Sequence, residues 1–431
     1  MLRLPAYAQL EMTDICNLRC KHCYLFNTDE MPKSSDLTDG NLDELVQKIV
    51  DAKVYSLVIT GGEPLVRSTA TLRALSKATE AGITTSINTN LLLLTPALIS
   101  ELKRLKVGSL LVSCPASNRE VYRQMTRGGD YRRFESCLKL LLEADISCLI
   151  NMVVTKTNFH LIRDTATDMA RLGVKRLSVT PASLNVGHPD YEGLLDKSQI
   201  LNLLEDLKWC DEELGLKVDM VEPLPKCFYP DWCWKKNYAF MGRACQAGRM
   251  SVSISNTGNV RPCSHNPLIY GNLFHESLES IWNKMGMYRS DVIPNDCKNC
   301  PTVSSCNGAC RTNALATTGS LAEPDRLMIG HINPPKKERK KINIEDHSFI
   351  SFKGKLRWRE ETNGCYSMTS KLNNSNLTVV NGELFRFICW LEKSLPLIVS
   401  EVMAKCANGS TKESFYRILE TVARKEFINI T

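Results

Sequence analysis

The sequence predicts an α/β protein with three parts: a partial barrel of six β/α units, a cysteine-rich segment, and a small winged-helix-like α+β domain. Three observations predict this fold class. Short β-rich runs alternate with amphipathic helical stretches from residue 1 to about residue 185, the 18 cysteines cluster at metal-ligand spacings, and the composition changes after Pro334-Pro335. Alternation of this kind is typical of parallel sheets, and a chain of 431 residues is too long for one small core.

Six candidate strands make up the predicted barrel, and each is short and rich in apolar or β-branched residues. They are residues 6–12, 56–60, 84–88, 109–113, 148–154 and 176–180. Stretches of helical periodicity lie between them, for example at 42–52 and 134–143. Barrels of parallel strands place their chemistry at the C-terminal ends of the strands, so the functional residues are expected in the loops that follow.

Three cysteines follow the first strand as C-x3-C-x2-C, at Cys16, Cys20 and Cys23. A 4Fe-4S cluster is closed by four thiolates, so three ligands leave one iron open to another molecule. The alternative is a zinc site, which needs a fourth Cys or His. His22 is the only nearby candidate, and it stands between two of the ligands.

This pattern, followed by Tyr24, resembles the signature of radical S-adenosylmethionine (SAM) enzymes. A second matching motif, Gly61-Gly62-Glu63-Pro64, ends the second strand. Two glycines, a carboxylate and a proline suit a tight turn that presents backbone to a ligand. The resemblance implies that SAM chelates the open iron of a 4Fe-4S cluster and that Gly61, Gly62, Glu63 and Pro64 bind SAM.

Polar residues at the ends of later strands are further candidates for binding SAM. They are Asn88, Asn90, Ser113 and Thr180, and Arg127 is a further candidate because Arg127-Gly128-Gly129 resembles an Arg-Gly element found in relatives. Each can also be read as ordinary turn chemistry. The chain reads Ser113-Cys114-Pro115 where relatives often have Leu-Asp-Gly after the serine, so a family carboxylate is missing. No catalytic acid or base is assigned, although Tyr24, Cys114 and His265 lie near candidate sites.

A second cysteine series resembles the SPASM domain, the auxiliary-cluster extension of radical SAM enzymes that modify peptides and proteins. It comprises Cys245, Cys263, Cys297, Cys300, Cys306 and Cys310, with Gly258 between the first two cysteines. The resemblance assigns Cys245, Cys263 and Cys310 to a first auxiliary iron-sulfur cluster and Cys297, Cys300 and Cys306 to a second. A zinc ribbon is the alternative for paired cysteines.

Each auxiliary set lacks one ligand. Cys233 is the nearer candidate to complete the first cluster, and Cys227 is the other. The family's last cysteine is expected near residues 323–328, where this chain has none. The second cluster therefore uses Asp325 or another oxygen, offers an open iron, or is absent; Cys365 is a more distant candidate. One or two auxiliary clusters are expected.

The last part of the chain follows a basic run at residues 336–341, which reads as a solvated linker. We predict a barrel domain over 1–220, a SPASM domain over 221–330, a linker over 331–346 and a final domain over 347–431. Strands, then a helix opened by Asn381-Gly382, then two more helices resemble the PqqD-like domain that recognises precursor peptides. The alternatives are a stabilising cap or a DNA-binding winged helix.

The sequence and these resemblances predict a radical SAM/SPASM enzyme that modifies a ribosomally made precursor peptide bound through the C-terminal domain. An electron donor such as flavodoxin or ferredoxin is expected. Alternatives are an enzyme acting on a tetrapyrrole or another small molecule, a sulfatase-type protein maturase, and a non-catalytic iron-sulfur scaffold. The modest net charge of +7 is weak support for nucleic acid binding, and no apolar run suggests a membrane span or signal, so a cytoplasmic location is expected.

Overall fold

The computed structural model describes residues 2–24, 38–184, 192–236, 238–286, 292–332, 342–371, 376–406 and 411–431. The chain divides into two compact units, one of Pro5–Pro335 and one of Met1–Leu4 with Lys336–Thr431. The basic run at 336–341 falls outside the described residues. In the described ranges, no helix combines the length and apolarity needed to cross a membrane.

The larger unit is built on a ten-stranded sheet. Its strands are β1 (Tyr7–Glu11), β2 (Ser56–Thr60), β3 (Thr84–Thr89), β4 (Ser109–Ser113), β5 (Cys148–Val154), β6 (Arg176–Pro181), β7 (Lys217–Asp219), β8 (Ser251–Ile254), β9 (Asn259–Arg261) and β10 (Gly271–Asn272). Its helices are α1 (Asp39–Asp51), α2 (Ser68–Glu80), α3 (Pro96–Arg104), α4 (Arg119–Thr126), α5 (Tyr131–Glu143), α6 (Ile162–Arg171), α7 (Lys197–Leu214), α8 (Asp231–Lys236), α9 (Leu278–Lys284), α10 (Val303–Cys306) and α11 (Arg311–Thr318).

The first six strands form the predicted parallel array, each paired with the next and connected by helices. Leu10, Leu57, Ile87, Leu110 and Ile150 are fully buried. Burial of this kind is expected where helices cover a parallel sheet. The structure therefore confirms a parallel sheet with strand bounds within two residues of those predicted.

The sheet also extends beyond the six predicted strands at both edges. β7 pairs in parallel with β6, and β8 pairs in parallel with β1 on the side opposite β2. β9 and β10 then continue the sheet antiparallel. These strands have two to four residues, too few to show a period in the sequence. The cysteine-rich segment is consequently joined to the barrel by backbone pairing at β1.

The smaller unit contains two three-stranded sheets and three helices. Its elements are β11 (Phe349–Phe352), β12 (Arg357–Glu360), β13 (Cys365–Thr369), β14 (Thr378–Asn381), α12 (Gly382–Ser394), β15 (Leu397–Ile398), α13 (Val399–Cys406), α14 (Lys412–Arg424) and β16 (Ile428–Ile430). β12, β13 and β14 form an antiparallel meander. The second sheet, in the order β15-β11-β16, was not predicted. Ile350, Met368, Ile388 and Leu419 belong to one buried core.

Candidate functional site

The N-terminal cysteine loop, residues 16–23, leaves the C-terminal end of β1 and is held by backbone hydrogen bonds. The N–H of Lys21 donates to the carbonyl of Met125 at 2.9 Å, and Cys23 donates to Cys20 at 3.1 Å. Leu18 N–H donates to Cys16 Sγ at 3.4 Å. Burial raises the pKa of Cys16 to about 11, so iron binding there must release the thiol proton.

The turn after β2 packs directly against the backbone that leads into this loop. The N–H groups of Gly62 and Glu63 donate to the carbonyls of Thr13 at 2.7 Å and Ile15 at 2.9 Å. A Cβ on Gly62 would lie 2.2 Å from the Ile15 carbonyl oxygen, and one on Gly61 would lie 2.6 Å from that of Thr13. Only glycine permits this approach, because any side chain would overlap backbone.

Glu63 is 1% exposed, and its carboxylate is bound by the protein itself. Thr89 Oγ1 and Leu65 N–H donate to Oε1 at 2.8 and 3.0 Å, and Asn90 N–H donates to Oε2 at 2.7 Å. Burial raises the pKa of Glu63 to about 7, against these hydrogen bonds. The carboxylate that the sequence assigned to a ligand therefore also joins the end of β2 to the end of β3.

Asn90 connects this network to the cysteine loop. Its Nδ2 lies 2.8 Å from Asn17 Oδ1 and 3.8 Å from Cys16 Sγ. The structure thus brings together Cys16, Glu63 and Asn90, three of the residues that the sequence placed at one site. The buried Nδ1 atom of His22, in the same loop, has no hydrogen-bond partner within the described residues.

The remaining predicted SAM-binding residues lie around the strand ends. Asn88 Nδ2 is 3.5 Å from Thr60 Oγ1. Thr180 Oγ1 donates to Asn151 Oδ1 at 3.0 Å and accepts from Val221 N–H at 3.1 Å, while Ser113 is opposite Asn151 in the sheet register. Arg127 ends α4 in the left-handed conformation, with φ 52°. Their roles toward SAM stay predictions.

A buried ion pair that sequence reasoning missed links β1 to β9. Arg261 Nη2 lies 2.6 and 2.5 Å from the two oxygens of Glu11, which is 2% exposed. Burial raises the pKa of Glu11, and the charge of Arg261 opposes that shift. A glutamate closing an otherwise apolar strand was the available signal, since a buried charge needs a partner.

Tyr24 and His265 also meet between the barrel and the cysteine-rich segment. Their rings stack with centroids 4.1 Å apart and an 18° interplanar angle. Burial, and then the charge of Arg261, lower the pKa of His265 to about 4. The imidazole is therefore neutral near pH 7.

The first auxiliary set gathers three thiols and one carboxyl group. Burial, followed by the neighbouring Glu222, Cys245 and Cys263, raises the pKa of the Cys310 thiol. Glu222 accepts a hydrogen bond from Cys310, and burial raises the pKa of Glu222 to about 8. Ser183 and Asn313 also donate to Glu222. Glu222, which the sequence did not suggest, therefore contacts Cys310, one of these three thiols.

Cys233, the candidate for that fourth position, lies fully buried on α8. Burial raises its pKa to about 12, and the charged groups that act on it are Glu205 and Lys208 of α7. Its role as the fourth ligand of the first auxiliary cluster stays a prediction.

The second auxiliary set lies in one cavity, which we call the cysteine pocket and define by four thiols: Cys227, Cys297, Cys300 and Cys306. Burial raises the pKa of Cys297 to about 11, and Cys306, Cys300 and Cys227 act in the same direction. Burial opposes ionisation of Cys300, but hydrogen bonds from Thr302 and from the Ile332 backbone lower its pKa. Asp325 accepts from Leu327 N–H at 2.9 Å.

The donor chemistry of these sites fits iron-sulfur clusters, since thiolates are the ligands that such clusters use. Backbone N–H groups also point at sulfur, as Lys226 does at Cys306 with 3.4 Å. In the part of the chain that the structure describes, no three His, Cys, Asp or Glu side chains are grouped closely enough to hold a single metal ion.

Comparison with known proteins identifies two domains. Residues 10–169 match the model of the radical SAM superfamily, and residues 245–310 match that of SPASM, an iron-sulfur cluster-binding domain. The chain thus carries both domains, and its cofactors are 4Fe-4S clusters and SAM.

Two relatives and one solved structure show the range of similarity. AdoMet-dependent heme synthase of Methanosarcina barkeri is 26% identical over 352 residues, 76% of this chain and 97% of the relative. PqqA peptide cyclase of Bradyrhizobium diazoefficiens is 26% identical over 337 residues, 75% of this chain and 85% of the relative. Streptococcus suis SuiB, solved bound to precursor peptide SuiA, superposes with a TM-score of 0.61 at 19% identity, covering 75% of this chain and 76% of SuiB. The SuiB match shows a shared fold.

Proposed function

We propose that this chain, which carries a radical SAM domain followed by a SPASM domain, is an enzyme that modifies a ribosomally synthesised precursor peptide. When bound, the N-terminal cluster and SAM supply a 5'-deoxyadenosyl radical that removes a hydrogen atom from an unactivated carbon. The observation that carries the proposal is the contact of Asn90 with Cys16 on one side and Glu63 on the other. It joins the two motifs into one site.

The residues of this chain have distinct tasks in that site. Cys16, Cys20 and Cys23 hold the cluster and leave one iron free for SAM. Glu63 fixes the backbone of Asn90, and the Asn90 amide in turn orients Cys16. Because Glu63 is 1% exposed, this support stays out of water, and a water-excluded site protects a reactive intermediate from side reactions.

Peptide recognition is assigned to the smaller unit. Trp358 of β12, Tyr366 of β13 and Phe385 of α12 form an aromatic cluster, in which the Tyr366 and Phe385 rings stack at 3.8 Å and Trp358 meets Phe385 edge-on at 4.9 Å. Trp358 is nevertheless 51% exposed. β12 and β14 are the edge strands of their sheet within the described residues. An extended peptide can add to such an edge while its side chains contact the aromatic rings.

Similarity to a peptide cyclase supports a peptide substrate, and the SuiB fold was solved with a precursor peptide. The bond that is formed or broken stays open. An electron donor such as flavodoxin or ferredoxin would deliver the reducing electron.

A tetrapyrrole substrate is the second candidate, because a heme synthase is matched over 97% of its own length. That alignment covers 76% of this chain, so about a quarter has no counterpart in it. The smaller unit, Met1–Leu4 with Lys336–Thr431, is of similar size. The alignment with the peptide cyclase leaves a similar share of this chain uncovered, so coverage does not separate the two candidates, and the exposed aromatic cluster beside a sheet edge favours the peptide.

The test is modification of co-expressed short peptides encoded near this gene, followed by mass spectrometry, with a porphyrin as the competing substrate. Trp358→Ala should raise the KM for the peptide about tenfold or more, because an exposed tryptophan at an interface typically contributes about 2 kcal/mol or more. Its matched control is Ile418→Ala on α14, at a position that is 38% exposed in the same unit. Formation of 5'-deoxyadenosine without peptide should be equal in both variants.

Turnover of the porphyrin with no modified peptide would contradict the proposal. Equal KM values for the two variants would leave peptide modification standing but remove the aromatic cluster from recognition. Loss of 5'-deoxyadenosine in Cys20→Ala is required in either case, because Cys20 is a ligand of the cluster that cleaves SAM.

A further inference from the structure

We propose that Cys227 is the fourth ligand of the second auxiliary cluster, so that the cysteine pocket holds a cluster closed by four thiolates. The SPASM match covers residues 245–310 and therefore does not include Cys227. The expected fourth cysteine, near residues 323–328, is absent from the sequence. The inference goes beyond the proposed function, since it holds for any substrate.

The first support is shared lining. Cys227 lines the same cavity as Cys297, Cys300 and Cys306. It lies in the one-turn helix Lys226–Phe228, after β7, whereas Cys297 ends the one-turn helix Asn295–Cys297 and Cys306 ends α10. The fold therefore brings a cysteine from before the SPASM match to three cysteines within it.

The second support is two N–H···S hydrogen bonds to sulfurs that line the pocket. Ile329 N–H donates to Cys227 Sγ at 3.4 Å, and Lys226 N–H, next in the chain to Cys227, donates to Cys306 Sγ at 3.4 Å. Hydrogen bonds to the sulfurs are a recurrent feature of iron-sulfur sites and tune their potential. Cys227 thus has the environment of a ligand.

The third support is what occupies the place of the missing cysteine. Met328 contacts Cys297 Sγ through its thioether sulfur at 3.4 Å, and the next residue, Ile329, supplies the N–H to Cys227. The segment expected to provide the last thiolate thus contributes a thioether and a backbone donor. The thiol comes from a different segment of the chain, from Cys227.

Other groups near the cavity are already engaged. His331 also lines it, but its Nε2 contacts the carbonyl oxygen of Asp296. Asp325 accepts from Leu327 N–H at 2.9 Å and is 4% exposed. A site with four thiolates leaves no iron free for substrate, so this cluster would serve electron transfer.

The test uses the full chain with Cys16, Cys20 and Cys23 all changed to alanine, so that only auxiliary iron is counted. After anaerobic reconstitution, this background should hold about eight irons. Adding Cys227→Ala should lower the count by about one to four irons, and the oxidised protein should gain the EPR signal of a three-iron cluster. Cys137→Ala, which removes a buried thiol of α5 outside both auxiliary sets, and His331→Ala are the matched controls and should retain both the iron and the spectrum.

Cys227→Ser separates a ligand from a buried structural thiol. A serine oxygen can still coordinate iron, so the serine variant should retain more iron than the alanine variant, with an altered spectrum. A merely buried cysteine would show the reverse order, because alanine is the milder change in an apolar site. Circular dichroism of the chelator-treated variants checks that each has folded.

Full iron with an unchanged spectrum in Cys227→Ala would overturn the proposal. So would an equal loss in His331→Ala or Cys137→Ala, or zinc in place of iron in the background protein. If Cys227→Ala does not fold, the spectrum of Cys227→Ser decides alone: a shifted cluster signal supports ligation, and an unshifted one refutes it.

Discussion

The N-terminal cysteine loop and the cysteine pocket both gather thiol ligands, but they take them from stretches of chain of very different length. The loop takes its three thiols from residues 16–23, while the pocket takes four from residues 227–306. The loop is tied to a side chain, Asn90, and the pocket is lined with backbone N–H donors from Lys226 and Ile329. Ligands close in sequence can be recognised from spacing alone, whereas ligands gathered from distant segments are recognised only in the fold.

The difference also separates what the two sites can do. Three thiolates leave an iron open for SAM, and four close the cluster. The first auxiliary set has three thiols, Cys245, Cys263 and Cys310. It lies between these two cases, because Glu222 accepts a hydrogen bond from Cys310. Changes that damage one site and spare the other therefore test the comparison.

The largest effect is expected from Arg311→Met, which should disrupt the cysteine pocket. Arg311 is 1% exposed and donates to the carbonyls of Gly308, Leu321 and Glu323. Gly308 itself lines the pocket. Two or more lost charge-assisted hydrogen bonds, at about 1.5–3 kcal/mol each, predict a loss of about 3–6 kcal/mol. Urea unfolding and the auxiliary iron count would measure it.

Arg326→Met is the matched control, because Arg326 does not line the pocket and donates to the Leu195 carbonyl at 3.0 Å. We expect a loss of about 1–3 kcal/mol and full iron. Similar iron losses in the two variants would mean that Arg311 does not support the pocket specifically.

The barrel and the N-terminal loop were the parts of this molecule that the sequence could predict. A strand or helix can be recognised when its pattern is long enough, as in the apolar run of β5 (Cys148–Val154) or the 3.6-residue period of α5 (Tyr131–Glu143). The cysteine loop and the glycine turn could be recognised because each motif is contiguous in the sequence. The hydrogen bonds of Glu63 with Thr89 and Asn90 could not be predicted, since they depend on how closely β2 and β3 end together.

A smaller effect is expected from Gly62→Ala, which should damage the N-terminal loop and spare the pocket. The new Cβ would lie 2.2 Å from the Ile15 carbonyl oxygen, a backbone atom that cannot rotate away. Overpacking of this kind costs about 1–3 kcal/mol. We expect weaker SAM binding by calorimetry and unchanged auxiliary iron. Gly242→Ala is the control, because its Cβ would meet nothing within 4 Å; equal SAM affinity in both variants would contradict the steric argument.

The features that the sequence missed share one physical cause. β8 joins β1 through four residue pairs, the second sheet of the smaller unit uses a two-residue strand, and Cys227 precedes the domain it completes. Such pairings are decided by tertiary packing, which overrides the weak preference of a short segment. Glu11 and Arg261 illustrate the same point, since their contact spans 250 positions.

The smallest effect is expected from His265→Phe, which changes the ring that stacks on Tyr24. Burial lowers the pKa of His265 in the folded protein to about 4, below the ordinary value of 6.5 for a histidine. As the pH falls below 6.5, the unfolded chain binds a proton that the folded protein refuses until about pH 4, so stability is lost across that window. Phenylalanine retains a ring against Tyr24 and cannot titrate. Urea unfolding of the cluster-free protein should therefore show that the free energy of unfolding falls less steeply on the acid side, the acid limb, for His265→Phe than for the unmodified chain. Tyr24→Phe is the control because it retains the imidazole, and it should lower stability by a similar amount at every pH in the window. Parallel acid limbs for His265→Phe and the unmodified chain would show that this imidazole is not the group that titrates.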